Sequence, residues 1–242
     1  MPSMVAYWTP KEGTEFSEWE DGAAYSQQTG WFAVADGAST GSNSREWAYT
    51  LTSAFIRERA AEVFDDPENG FSHWLRRTRA AFDPRSDQFL PSKAPRWVQA
   101  AASERGSHAT LLAGRIFQGT VQAVAVGDCC LFKWTNGAPV EPFPLAEPGD
   151  FGSNPLLVRS HQSDDDHRVS DVHRFNCQLA PGDFVFVASD ALAEWLTGQL
   201  RNQQVWRMLA RLGNTGFQDL CRDLRTHHHM KNDDVTLFRA GL

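Results

Sequence analysis

Three short apolar runs in this chain each close on an aspartate, and a fourth opens on two. WFAVAD (31–36) ends at Asp36, AVAVGD (123–128) at Asp128 and FVFVASD (184–190) at Asp190, while Asp233 and Asp234 precede VTLF (235–238). Runs this short, rich in Val, Phe and Ala and bounded by Gly or turn residues, read as buried strands. If the last strand runs antiparallel to the others, all these carboxylates meet at one edge of the core. Glu20-Asp21, just ahead of the first run, is placed to join them. Any one of these aspartates alone reads first as a turn former; four strand ends together point to a metal site.

The remaining pattern is mixed. Ser44 to Phe64 reads as one long helix, with Trp47, Leu51, Ala54 and Phe55 on one apolar face and Ile56 and Val63 pointing away from it. Phe71 to Phe82 and Arg96 to Arg105 are further helical candidates. Residues 108–117 and 119–128 form a hairpin signal around Gln118-Gly119, and CLFKW (130–134) continues as strand. Residues 141–170, rich in Pro, Gly, Ser and Asp, read as a long functional loop. Residues 191–227 look helical, broken at Gly198, Gly213 and Gly216. The order of strand, helices, strands, helices and strand indicates α+β, with two sheets or one sheet covered by helices. With no repeat or linker, residues 1–242 read as a single domain.

Composition excludes several functions. The formal net charge is −7, and the only basic cluster, Arg76, Arg77 and Arg79, reads as a solvated helix face, so no nucleic acid is expected as a partner. No apolar stretch approaches the roughly 20 residues of a membrane span. The start, MPSMVAYWTPKEG, lacks the pattern of a signal peptide. The four cysteines, Cys129, Cys130, Cys177 and Cys221, have no CxxC spacing and no Cys-x5-Arg loop. They suit a reducing, cytoplasmic setting rather than a disulfide framework or a cysteine-based phosphatase. The run His227 to His229 reads as an exposed helix end, Asp164 to Asp166 as a solvated loop, and the nine tryptophans chiefly as packing.

Carboxylates brought together repel one another, which calls for raised pKa values or a compensating cation. Hard oxygen ligands favour Mg²⁺ or Mn²⁺. Two such ions about 3.5–4 Å apart activate a water and hold a phosphate.

The same positions resemble the motifs of the metal-dependent protein phosphatases of type 2C, in their bacterial branch, over nearly the whole chain. Glu20-Asp21, ADGAS (35–39), GSHATLLAG (106–114), VGDCCLF (126–132), ASDALAEWL (188–196) and NDDVTLF (232–238) follow the order of the family's six motifs. The resemblance implies a four-layer α-β-β-α sandwich: two antiparallel sheets flanked by helices, with the metals at one end. It implies two ions, Mg²⁺ or Mn²⁺, bridged by Asp36. Gly37 through its carbonyl, Asp21 and Glu20 would complete one shell, and Asp190 and Asp233 the other. Asp128, Asp190 and Glu194 fall where a third ion is held. It also implies a phosphorylated protein substrate and a serine/threonine kinase, or its target, as a partner.

The chain departs from the family pattern at three positions. Phe16 stands where a phosphate-gripping Arg is expected, leaving Lys11 as the nearest upstream cation; its other reading is a solvated lysine. Ala38 replaces a His read as general acid, and Ala191 replaces a Gly. Asp36, Asp21 and Lys11 are thus the residues expected to act in the reaction. The alternative is a non-catalytic module that keeps the fold and binds a phosphorylated partner. A two-metal nuclease also clusters carboxylates, but the chain lacks the basic groove that a nuclease needs.

Overall fold

The computed structural model describes residues 2–15, 18–38, 43–82, 106–152, 154–161 and 171–242. In chain order the first half holds β1 (Ser3–Thr9), β2 (Gly22–Ser26), β3 (Trp31–Ala35), α1 (Ser44–Glu58), α2 (Glu62–Asp65) and α3 (Gly70–Ala81). Next come β4 (His108–Ala109), β5 (Leu111–Phe117), β6 (Thr120–Val126), β7 (Cys130–Trp134), β8 (Glu141–Phe143), β9 (Val158–Arg159) and β10 (His173–Gln178). The chain closes with β11 (Phe184–Ala188), α4 (Asp190–Thr197), α5 (Gln203–Arg211), α6 (Asn214–Thr226) and β12 (Val235–Gly241).

The strands form two antiparallel sheets, ordered β1-β12-β11-β7-β8 and β10-β6-β5-β3-β2, and β4 pairs with β9 in a small ribbon. Three apolar clusters separate four layers. One lies between the first sheet and α4–α6, a second between the second sheet and α1–α3, and a third between the sheets. This is the expected sandwich.

Burial on both faces explains why the central strands read as unbroken apolar runs. In β3, Trp31, Ala33 and Ala35 join the helix-side cluster while Phe32 and Val34 join the inter-sheet one. In β12, Val235 and Leu237 face the helices, and Phe238 and Ala240 face the other sheet. Phe32 stacks on Phe238 across the gap, centroids 4.9 Å apart and planes at 14°. Each such buried ring stabilises the sandwich by about 2–3 kcal/mol through apolar burial.

The Gln118-Gly119 turn is a two-residue hairpin with φ of 50° and 77°, the positive pair that matches strand twist. The segment 44–64 departs from expectation. It breaks after Glu58, where Arg59 adopts a left-handed φ of 49°. The break turns Ala60 and Val63 into the same cluster as Trp47, Leu51 and Phe55, so a second apolar surface for Val63 is not needed. Of the glycines expected to break the later helices, Gly198 and Gly213 do so, whereas Gly216 lies inside α6. The loop 141–170 carries β8, a 3-10 turn (Pro148–Asp150) and β9. The candidate helix 96–105, Phe16 and Asp164 to Asp166 lie outside the described residues.

Candidate functional site

The antiparallel order delivers β3, β6 and β11 to one end of the sandwich as they finish, and β12 starts from that end. Asp36, Asp128, Asp190 and Asp233 consequently line one cavity of about 270 Å³, together with Gly37, Thr110 and Lys231.

Backbone pairing fixes Asp36 in place. Thr110 donates its N–H to the Asp36 carbonyl at 2.8 Å, and its Oγ1 accepts the Asp36 N–H at 3.3 Å. The next residue, Gly37, bridges to Ala109. A Cβ on Gly37 would meet the Glu20 carbonyl oxygen at 2.6 Å, so only glycine fits between these segments. Asp190 opens α4 as its first residue. Its Oδ1 accepts the Ala191 N–H and its Oδ2 accepts from the Lys231 ammonium. Ala191 sits within α4 at an ordinary helical φ, so the loss of glycine there costs no backbone strain.

Asp21 lies behind this cavity, 2% exposed. Its Oδ2 accepts the Thr236 hydroxyl at 2.7 Å. Thr236 is itself locked to the end of β11: its N–H donates to Ser189 Oγ at 2.9 Å, and its carbonyl accepts the Ser189 N–H at 3.1 Å. Asp234 acts as a staple. It accepts the Lys11 N–H on Oδ1 at 2.9 Å and the Glu20 N–H on Oδ2 at 2.7 Å, tying the Glu20-Asp21 segment to the start of β12.

The crowding perturbs titration. Burial, then the charges of Asp21, Asp190 and Asp128, raise the Asp36 carboxyl well above the usual carboxylate range. Burial raises Asp21 to about 8, opposed by the Thr236 hydrogen bond and reinforced by Asp234 and Asp190. Burial and Asp190 raise Asp128 to about 6. Asp233 is raised by burial and Asp190. Burial pulls the Lys231 ammonium down, but Asp190, Asp233 and Asp128 outweigh it and its pKa is raised.

Two buried oxygens, Asp21 Oδ1 and Asp128 Oδ1, have no hydrogen-bond partner. An unpartnered buried carboxylate oxygen is costly unless a proton neutralises the group or a cation meets it. The donor set is entirely oxygen, as Mg²⁺ or Mn²⁺ requires. Among the described residues no three His, Cys, Asp or Glu side chains already converge as a closed ligand group. The carboxylates line a shared rim, and a lysine stands among them. In donor chemistry the residues fit divalent cations.

The other expected site residues lie around this rim. Lys11 does not line the cavity; its Nζ stands 3.7 Å from the Glu20 carboxylate. Glu194 lines a neighbouring cavity of about 740 Å³ with His228 and His229. His227 is exposed and pairs with Asp223 at 3.2 Å, at the exposed end of its helix. Sequence reasoning missed Lys231, Thr110 and the staple role of Asp234. The signal for Lys231 was its position two residues before Asp233.

A family model described as protein phosphatase 2C matches residues 19–226. No curated protein matches the chain. Among solved structures, the photosystem II phosphatase PBCP is 16% identical, with a TM-score of 0.66 over 100% of this chain and 99% of that one. Serine/threonine phosphatase Stp1 from Staphylococcus aureus is 17% identical, with a TM-score of 0.65 over 100% and 95%. The catalytic domain of serine/threonine protein phosphatase PstP, solved in complex with two manganese ions, is 14% identical, with a TM-score of 0.61 over 99% and 97%. These likenesses show a shared fold.

Proposed function

The chain belongs to the protein phosphatase 2C family, and from that premise we propose that it hydrolyses phosphoserine and phosphothreonine on proteins with the help of divalent cations. The observation that carries this reading is the meeting of Asp36, Asp128, Asp190 and Asp233, from four separate stretches of chain, around one cavity. The two manganese ions of the PstP complex support the same use of the rim here.

Asp36, Asp21, the Gly37 carbonyl and Glu20 would hold one Mg²⁺ or Mn²⁺. Asp190 and Asp233 would hold a second, and Asp128 and Glu194, with Asp190, would help to hold a third. When bound, the ions supply the positive charge that lets a water attack a dianionic phosphate ester. The chain's own residues position and neutralise. Thr110 sets the Asp36 backbone, Thr236 and Asp234 set the Asp21 segment, and α4 presents Asp190 from its N-terminus.

Direct attack by water, with no covalent enzyme intermediate, also fits the thiols. Burial pushes Cys130 and Cys221 up to about 12 and Cys177 to about 11, leaving them poor nucleophiles. All four cysteines are free, as a reducing cytoplasmic setting allows. No helix among the described residues is long and apolar enough to cross a membrane. A phosphorylated protein is the substrate on this reading, and a serine/threonine kinase or its target is the partner.

The test is phosphate release from phosphoserine and phosphothreonine peptides with Mn²⁺, repeated with excess EDTA. Release that depends on metal is expected. Binding of these peptides without turnover, at saturating Mn²⁺, would favour a non-catalytic module instead.

A further inference from the structure

Lys231 stands where the mechanism above has no use for a cation. Its ammonium pairs with Asp190 Oδ2 inside the cavity that Asp36, Asp128 and Asp233 also line. The other oxygen of Asp190 accepts the Ala191 N–H. Both oxygens of one expected metal ligand are therefore engaged by the chain itself.

The backbone around Lys231 is pinned while its side chain has room to move. Met230 is 6% exposed and belongs to the helix-side cluster. Asn232 accepts the Glu12 N–H on Oδ1 at 2.7 Å and donates from Nδ2 to the Glu12 carbonyl at 3.1 Å. The Lys231 side chain is 43% exposed, against 13% for Asp190, and it borders the neighbouring cavity as well. A lysine held this way reaches in from solvent over a flexible stem and can withdraw without moving the chain.

We propose that Lys231 is a built-in counter-ion that competes with a divalent cation for Asp190. In the metal-free protein its single charge offsets part of the repulsion among Asp190, Asp128 and Asp233. A divalent ion and an ammonium on one carboxylate repel each other, so an ion enters on the Asp190 side only as Lys231 leaves. The Asp190 side of the rim is then the weaker of the two, and Lys231 sets how weak. This rests on the reading of the rim as a metal site.

The experiment is calorimetric titration of the metal-free full chain with Mn²⁺, comparing wild type with Lys231→Met, Lys231→Gln and Lys231→Arg, with circular dichroism as the check on folding. Removing one unit charge next to the ligand is expected to tighten the weaker Mn²⁺ site about tenfold in Lys231→Met and Lys231→Gln. Lys231→Arg keeps the charge and should stay near wild type. The metal-free neutral variants should also melt at lower temperature than wild type, with the difference closing once Mn²⁺ is saturating. Equal or weaker Mn²⁺ binding by both neutral variants, while wild type binds, overturns the counter-ion alone. No Mn²⁺ binding by any form overturns the metal reading itself, and this proposal with it.

Discussion

The hydroxyl of Thr236 donates to Asp21 Oδ2 at 2.7 Å, joining residues 215 positions apart. Thr236 lies in β12 of one sheet, and Asp21 immediately precedes β2 of the other. The bond is buried and holds the Glu20-Asp21 segment against the carboxylate rim. It couples the closure of the sandwich to the shape of the site.

Thr236→Val keeps the shape of the side chain and removes the donor. Asp21, already lacking a partner on Oδ1, then loses its partner on Oδ2. Leaving such a group unsatisfied costs about 1–3 kcal/mol. Urea denaturation of the metal-free variant should show a loss in that range, and Mn²⁺ titration should show weaker binding. Unchanged stability together with unchanged binding would show that the bond fixes nothing.

The raised carboxyls make a prediction about pH. Asp21 at about 8 and Asp128 at about 6 both lie above their ordinary value of 3.8, chiefly through burial. Between that value and the folded one, the native state binds more protons than the unfolded state. The contribution of these groups to stability is therefore complete below the unfolded value and is lost as pH rises through the folded values. The melting temperature of the metal-free protein should fall from pH 5 to pH 8.5. Saturating Mn²⁺ at each pH should flatten that slope, because the cation stabilises the ionised carboxylates. A flat metal-free profile would contradict the crowding described here.

Much of the site was legible because its carriers are strands buried on both faces. WFAVA, AVAV and FVFVA announce themselves as apolar runs, and the aspartates mark where they stop. The edge strands were harder to see. β1 and β2 mix buried, half-buried and exposed positions without a run of buried ones, and β10, the largely polar HRFNCQ, has no fully buried residue. Lys231 escaped notice because a lysine beside aspartates reads as a solvated pair; only the convergence of distant segments places it among four carboxylates. The division of labour within Asp233-Asp234 was hidden for the same reason. Asp233 lines the cavity, while Asp234 staples backbone 223 positions away at Lys11.

The break in the first long helix was equally invisible, since nothing in RERAAEVF punctuates it. Arg59 holds φ at 49°, a left-handed conformation that costs a residue with a Cβ about 1–2 kcal/mol. Arg59→Gly relieves that cost and loses part of the gain to the flexibility of the unfolded chain. A net stabilisation of about 0.5 kcal/mol is expected from these two opposed effects, read from the shift in the denaturation midpoint. A destabilised variant would mean that Arg59 makes an interaction worth more than its strain.

The account turns on Asp36, the carboxylate that Asp21, Asp190 and Asp128 crowd most heavily. Equilibrium dialysis against Mn²⁺, run on wild type and Asp36→Asn with circular dichroism as the check on folding, tests it most directly. Saturable Mn²⁺ binding by the wild type is predicted, with loss of at least one bound ion in Asp36→Asn and no change in fold. Equal Mn²⁺ binding by the two proteins would contradict it.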